Sequence, residues 1–410
     1  MDKGSKFLVL FLIQSLIICS SNFFLDEEHE YGFLPVDDKY QLFYWLFFAR
    51  NRNPNAPVIV WLEGGPGCSA EMPIFTEHGP FLLPPNNFNF TKNPYSMNND
   101  ADMLFLDQPL GTGFSNCDDF NRIPYNEEMA YKDFLIAFKK LLTIHPEFNS
   151  RKFIFMGQSY GGHYVPYYVS HLLKDLSQIQ IIAIIIGNPF TYDMSVFESY
   201  GDFAFYNNLI DSFTYTSSKL SSYLCKIMRN WGLTSASQMF CDMSLEIVIG
   251  QYGHWRFNPV DFTGKSYNTT HLTDFMLHSP IMKEMNLTGK KWTDCNGEVE
   301  MRMAGDASLD CTPFLKEIID KGIQTILYYG EKDIVCSWIS GDNLIEHIGE
   351  SFSNQVKSAP LKYWITNGET KSEYRDYKNF RIMKVYNAGH VVFWRQASFG
   401  YDLITSIIND

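Results

Sequence analysis

The sequence predicts an α/β protein built on a doubly wound, mostly parallel sheet with a partly helical cap insertion. Three observations carry this prediction. Short apolar runs recur along the chain: VIVWL at 58–62, MLFLD at 103–107, KFIFM at 152–156, IIAIII at 181–186, TILYY at 325–329 and RIMKV at 381–385. Such runs read as strands, and the unbroken β-branched run at 181–186 suits a central parallel strand buried on both faces. Between the earlier runs lie segments with helical spacing, and strand-helix alternation is the signature of a doubly wound sheet. From 191 to 310 the alternation stops, while Trp, Met and the pair Cys225 and Cys241 accumulate, so this stretch reads as an insertion that caps the sheet.

Taken in order, the chain opens with two lysines, an apolar run from Phe7 to Ile18 and then small residues. This is the layout of a secretory signal peptide, expected over 1–21, and the run is too short to span a membrane comfortably. Tyr31 to Phe48 alternates apolar and polar residues around Asp37 and Asp38 and predicts a β-hairpin. Core segments are then expected over 22–190 and 311–410, on either side of the cap at 191–310. From Tyr131, residues Phe134, Leu135, Phe138, Leu141 and Leu142 keep helical spacing until Pro146 ends the run. Pro166 falls inside the helix expected after the run at 152–156, which predicts a kink or a late start there.

Composition narrows the function. Charged residues are 19% and hydrophobic residues 45% of the 410-residue chain, as in a globular protein. The net charge of -13, without a concentrated basic cluster, excludes nucleic acid as an expected partner. Eight cysteines less Cys19 of the signal leave seven, so an oxidising compartment would leave at least one thiol unpaired or bonded between chains. Separately, Cys225 is expected to pair with Cys241. Sequons at Asn89, Asn268 and Asn286 fit the secretory route as glycosylation sites. No Cys/His spacing suggests a metal, and no cofactor is implied.

The run at 152–156 enters Gly157-Gln158-Ser159-Tyr160-Gly161, a G-x-S-x-G turn whose sharp reversal lifts the serine hydroxyl clear of the sheet. Gly330-Glu331-Lys332-Asp333 and Asn387-Ala388-Gly389-His390 follow two further strands. Open α/β sheets place their sites at the carboxyl ends of strands, and Ser159, Asp333 and His390 come in the order used by α/β-hydrolases. In such a set His390 takes the Ser159 proton, while Asp333 fixes the imidazole tautomer and stabilises the imidazolium. Glu63-Gly64-Gly65-Pro66-Gly67 directly follows the strand at 58–62, so the backbone N–H of Gly65, with that of Tyr160, is the candidate oxyanion hole.

These residues lie within larger blocks that resemble the serine carboxypeptidases, the relatives of carboxypeptidase Y and cathepsin A. The blocks are VIVWLEGGPGCS at 58–69, NPYSMNNDADMLFLDQPLGTGFS at 93–115, GQSYGGHYVP at 157–166, LYYGEKDIVCSW at 327–338 and AGHVVFWRQ at 388–396. The resemblance covers nearly the whole mature chain. It implies an α/β-hydrolase that releases C-terminal residues from peptides with a free C-terminus through an acyl-enzyme. It further implies a preference for acid and residence in vacuoles, lysosomes or secretions, as a monomer or homodimer, with no membrane contact after signal removal. The catalytic roles map to Ser159, Asp333 and His390, the oxyanion-hole glycine to Gly65, and a disulfide to Cys68 and Cys295. Gly64 maps to the substrate pocket, and Cys336 maps to a cysteine near the leaving-group pocket and is expected to be a free thiol. An acyltransferase of the same family, or a binding and stabilising partner of other secreted enzymes, are the competing readings.

One departure is informative. The family pairs an asparagine before the glycines with a glutamate before the serine to bind the terminal carboxylate. Here those positions are Glu63 and Gln158, so acid and amide have changed places. A protonated Glu63 can donate to a carboxylate, whereas an ionised one repels it. Terminal-carboxylate recognition is therefore expected to survive the exchange and to require acid. Val391-Val392-Phe393 and Ser337 depart from the usual residues near the substrate pockets.

Overall fold

The computed structural model describes residues 22–250, 258–264, 267 and 269–409. The expected signal segment and the sequon at Asn268 lie outside them, whereas Asn89 and Asn286 are exposed. Twelve strands are formed among the described residues: β1 (His29–Pro35), β2 (Gln41–Phe47), β3 (Val58–Leu62), β4 (Phe81–Leu82), β5 (Thr91–Lys92), β6 (Asp102–Leu106), β7 (Lys152–Gln158), β8 (Gln180–Gly187), β9 (Gln324–Gly330), β10 (Lys362–Thr366), β11 (Glu369–Tyr377) and β12 (Phe380–Val385). Ten of them make one sheet in the order β1-β2-β6-β3-β7-β8-β9-β12-β11-β10, while β4 and β5 form a separate small ribbon. From β6 to β12 every neighbouring pair is parallel, and the flanking hairpins β1-β2 and β11-β10 are antiparallel.

Side chains alternate across a strand, so each central strand feeds two cores. Val58, Val60, Leu62, Phe153 and Phe155 pack on one face with Phe134, Val165, Leu315 and Leu344 from helices 127–144, 161–175, 312–320 and 338–348. Ile59, Trp61, Ile154 and Met156 pack on the other with Leu272, Phe275, Leu403 and Ile404 from helices 269–278 and 397–409. Apolar residues at consecutive positions are thus needed on both faces, which is why these strands read as unbroken runs.

Between 191 and 310 the described elements are all helical, with a third cluster around Phe197, Phe203, Cys225, Cys241 and Val248. Helices Ser212–Asn230 and Thr234–Ile249 form an antiparallel pair tied by the Cys225–Cys241 disulfide.

Several details differ from the sequence pattern. The helix expected from Tyr131 starts at Glu127, because the Asn126 side chain accepts from the Met129 N–H at 2.9 Å and caps it. The helix containing Pro166 starts without delay at Gly161. Proline at its sixth position removes only the bond to the carbonyl of Gly162 within the first turns. The hairpin β10-β11 was not predicted: its sequences KYWIT and ETKSEYRDY are mixed and partly exposed at the sheet edge, where charge guards against further pairing.

Arg151 locks the N-terminal side of the central strands. Its Nε donates to the carbonyl of Ala56 at 2.5 Å and its guanidinium to Asp102 at 2.8 Å, while Asp102 also accepts from the Ala49 N–H at 2.7 Å. Both side chains are buried. Arg151→Ala leaves the Asp102 charge without its partner, so it should lower unfolding free energy by about 3–5 kcal/mol. The midpoint of urea unfolding reads this directly, and an unchanged midpoint would contradict it.

Candidate active site

The candidate residues gather at the carboxyl ends of the parallel strands: Glu63 to Gly65 after β3, Ser159 after β7, Asn188 after β8, Asp333 after β9 and His390 after β12. Ser159 sits at φ 56°, in the left-handed region, between β7 and the helix beginning at Gly161. Its strain is held by hydrogen bonds on both sides. The Ser159 N–H donates to the Gly187 carbonyl at 3.0 Å, and the Ser159 carbonyl accepts from the Gly162 and Phe190 N–H groups at 2.8 Å each.

His390 Nδ1 lies 2.7 Å from Asp333 Oδ2, and Asp333 is fully buried. Three more donors fix that carboxylate: Asn188 Nδ2 at 2.6 Å, the Cys336 N–H at 3.1 Å, and the Val335 N–H at 2.9 Å. Asn188 also donates to the Cys336 carbonyl at 3.1 Å, so it joins β8 to the loop after β9. Burial pulls the His390 pKa down, but the Asp333 carboxylate, by charge and by hydrogen bond, and the nearby Glu63 more than offset it and leave the net shift upward.

The N–H groups of Gly65 and Tyr160 donate to no other protein group among the described residues. Both residues line, with Ser159, a cavity of about 480 Å³. Gly64 brings the two turns together: a Cβ there would lie 2.6 Å from the Gln158 carbonyl and 2.8 Å from the Tyr160 nitrogen, so no side chain fits. Cys336 lines the same cavity; its thiol is free and buried, and burial together with the Asp333 charge keeps it protonated.

Glu63 and Gln158 are side by side. Gln158 Nε2 donates to Glu63 Oε1 at 2.9 Å, the Gly64 N–H donates to the same oxygen at 3.1 Å, and Trp61 Nε1 donates to Glu63 Oε2 at 2.9 Å. A third member was missed from the sequence. Glu77 approaches Gln158 Nε2 at 3.4 Å and its other oxygen has no partner. Burial raises the Glu63 pKa against its hydrogen bonds; burial and then the charge of Glu63 raise Glu77 well above the carboxylate range. His78, next to Glu77, is held neutral by burial at about 3. Asn188 was also missed, although its place directly after the apolar run at 181–186 marks it as a strand-end residue like the others.

Cys68 is disulfide-bonded to Cys295, which fastens the glycine turn to the helical stretch between 191 and 310, and Cys117, Cys311 and Cys336 are free. No group of three or more metal-ligating side chains occurs among the described residues.

The chain matches the family model for serine carboxypeptidases over residues 20–410. It is similar to serine carboxypeptidase-like 49 of Arabidopsis thaliana, 28% identical over 90% of this chain and 74% of that protein. Carboxypeptidase Y of Komagataella phaffii is 25% identical over 92% of this chain and 75% of that one. In three dimensions it resembles Kex1, a prohormone-processing carboxypeptidase from Saccharomyces cerevisiae, with a TM-score of 0.82 and 22% identity over 94% of this chain and 92% of that one. This last likeness gives the fold, an α/β-hydrolase.

A serine-directed phosphonate should label the wild type and leave Ser159→Ala unlabelled. Asn188→Ala should slow labelling by about 10- to 100-fold, since a lost hydrogen bond to a charged group costs about 1.5–3 kcal/mol. Mass spectrometry of the adduct over time reads both, and equal rates for Asn188→Ala would show that Asp333 needs no support from β8.

Proposed function

The chain belongs to the serine carboxypeptidase family and is a serine-type carboxypeptidase; we propose that Ser159, Asp333 and His390 carry its reaction and that it works best in acid. The observation that supports these roles most is the buried Asp333 carboxylate, held by three other donors and bonded to His390, at the same strand ends as Ser159. His390 takes the Ser159 proton as the oxygen attacks the carbonyl carbon of the last peptide bond. The C–N bond then breaks, and His390 returns that proton to the departing amine. Water repeats the sequence on the acyl-enzyme. The free N–H groups of Gly65 and Tyr160 stabilise the oxyanion, each by about 3 kcal/mol.

Glu63, Gln158 and Glu77 recognise the terminal carboxylate of the peptide. Two buried carboxyls with raised pKa hold protons in acid and donate to a carboxylate; once ionised they repel it. The sign for binding is therefore clear: KM for a free C-terminus rises as pH climbs through their raised pKa values. His390 has the opposite need, because it must be neutral to act as base, and kcat rises with pH through its own pKa. The two demands are coupled. Protonating Glu63 removes one of the charges that raise His390, so the base stays available in the same acidic range.

The disulfides Cys68–Cys295 and Cys225–Cys241 and the leading apolar run support passage through the secretory route, to a vacuole, a lysosome or the exterior. No helix among the described residues is long and apolar enough to cross a membrane.

The test is release of the last residue from an N-blocked dipeptide and from its C-terminally amidated form at about pH 5 and about pH 7. Release is expected in acid, from the free acid only, with KM rising toward neutrality. Gln158→Glu places a third carboxyl in the cluster and should steepen that rise. Equal turnover of the amidated peptide would sink the carboxylate reading. No release from an enzyme whose Ser159 still takes up phosphonate would point to acyl transfer onto an acceptor other than water.

A further inference from the structure

The cavity beside Ser159 carries a charge pattern that the reaction itself does not require. Glu63, Gln158 and Glu77 are absent from its lining, so it opens beside Ser159 separately from the carboxylate cluster. A peptide whose terminal carboxylate occupies that cluster therefore places its penultimate side chain, the one on the acyl half, in this cavity. That assignment rests on the carboxypeptidase reading above.

The lining is aromatic below and acidic above. Tyr160 and Phe190 stack at 6.2 Å with an interplanar angle of 18° and form an apolar wall. Two cap elements contribute Asp242, from helix Thr234–Ile249, and Glu300, from helix Gly297–Met303. Both side chains are solvent-exposed, and neither makes an ion pair among the described residues; the one hydrogen bond to Asp242 comes from Gln238 at 2.7 Å. No lysine or arginine lines the cavity among the described residues. Although its rim is exposed, the Asp242 carboxyl is partly desolvated by the helices around it, which pushes it upward against its bond from Gln238; the like charge of Glu246 adds a smaller repulsion that a cation would relieve. Tyr160 is 3% exposed, and its hydroxyl is buried beside the Glu127 carboxyl, which lies 3.8 Å from His163 Nδ1.

We propose that this cavity selects peptides with lysine or arginine as the penultimate residue, with Asp242 and Glu300 determining that specificity. The alkyl stem lies along Tyr160 and Phe190, where a guanidinium also gains from the ring faces, and the cationic head meets the two carboxylates. Such a head supplies the counter-charge that the cavity lining lacks.

The experiment compares N-blocked Arg-Leu with N-blocked Leu-Leu on one enzyme preparation at about pH 5. The kcat/KM ratio is expected to favour arginine at least tenfold and to shrink with added sodium chloride, because exposed charges are screened. In Asp242→Asn/Glu300→Gln the ratio should fall to near one. As a ratio of two substrates it is insensitive to the fraction of enzyme folded. A wild-type ratio near one overturns the proposal. A high ratio that survives the double substitution overturns the assignment to these two residues. Release from neither peptide overturns the carboxypeptidase reading and this inference with it, a failure that the Leu-Leu arm alone reveals.

Discussion

The end of β3 runs so close to the turn at Ser159 that nothing larger than hydrogen fits between them. A Cβ on Gly157 would sit 2.6 Å from the Leu62 carbonyl oxygen, and one on Gly161 would sit 2.9 Å from it. This contact sets the site. It brings the glycine turn after β3 against the nucleophile, so that the unspent N–H groups of Gly65 and Tyr160 face one cavity and Glu63 reaches Gln158. Glycines at these positions are a steric requirement, and their conformational cost is offset by the sheet packed behind them.

That sheet can hold the contact because its central strands are anchored on both faces. β3 and β7 pair directly from Val58 with Phe153 to Leu62 with Gly157, and each sends side chains into two separate cores. A shift of either strand would disturb both layers at once. The carboxyl ends of β9 and β12 are placed by the same logic, with Asp333 and His390 in the loops that follow these adjacent parallel strands. Their hydrogen bond then needs only two short loops to form, and Asn188, directly after β8, also bonds the Asp333 carboxylate.

How much of this was legible in the sequence follows from where each signal lives. The buried strands were readable because burial on both faces demands unbroken apolar runs, and the turn at Ser159 because glycine there has no substitute. Edge strands were not readable. β10 and β11 face solvent in part, and their sequences carry the mixed polarity that an edge tolerates. Asp333 and His390 could be picked out by position at strand ends, and Glu63 and Gln158 by the resemblance. Glu77 had no such mark. It lies just past a five-residue helix, Met72–Thr76, and reaches the site through tertiary packing: the neighbouring His78 ring lies 4.1 Å from that of Trp61, tilted by 50°. Partners that meet through tertiary packing alone leave no periodicity to find.

The exchange of acid and amide between positions 63 and 158 shows which property of the carboxylate cluster matters. Two carboxyls and one amide share a pocket from which water is excluded, and each carboxyl there holds its proton more tightly than in solvent. Gln158 lies between the two acids and donates toward both, at 2.9 Å to Glu63 and 3.4 Å to Glu77. An amide in that central place separates the acids, whereas a third carboxyl would need a third proton. Glu63, at the former amide position, gains the indole of Trp61 and the Gly64 N–H, which can steady it in either protonation state. Swapping the two residues thus keeps the number of protons the pocket must hold and puts a titrating group at position 63, whose charge His390 feels. On the proposed reading, binding of the terminal carboxylate depends on the protons of Glu63 and Glu77, and the Glu63 proton also shifts the basicity of His390, which would link substrate recognition to the chemistry at Ser159.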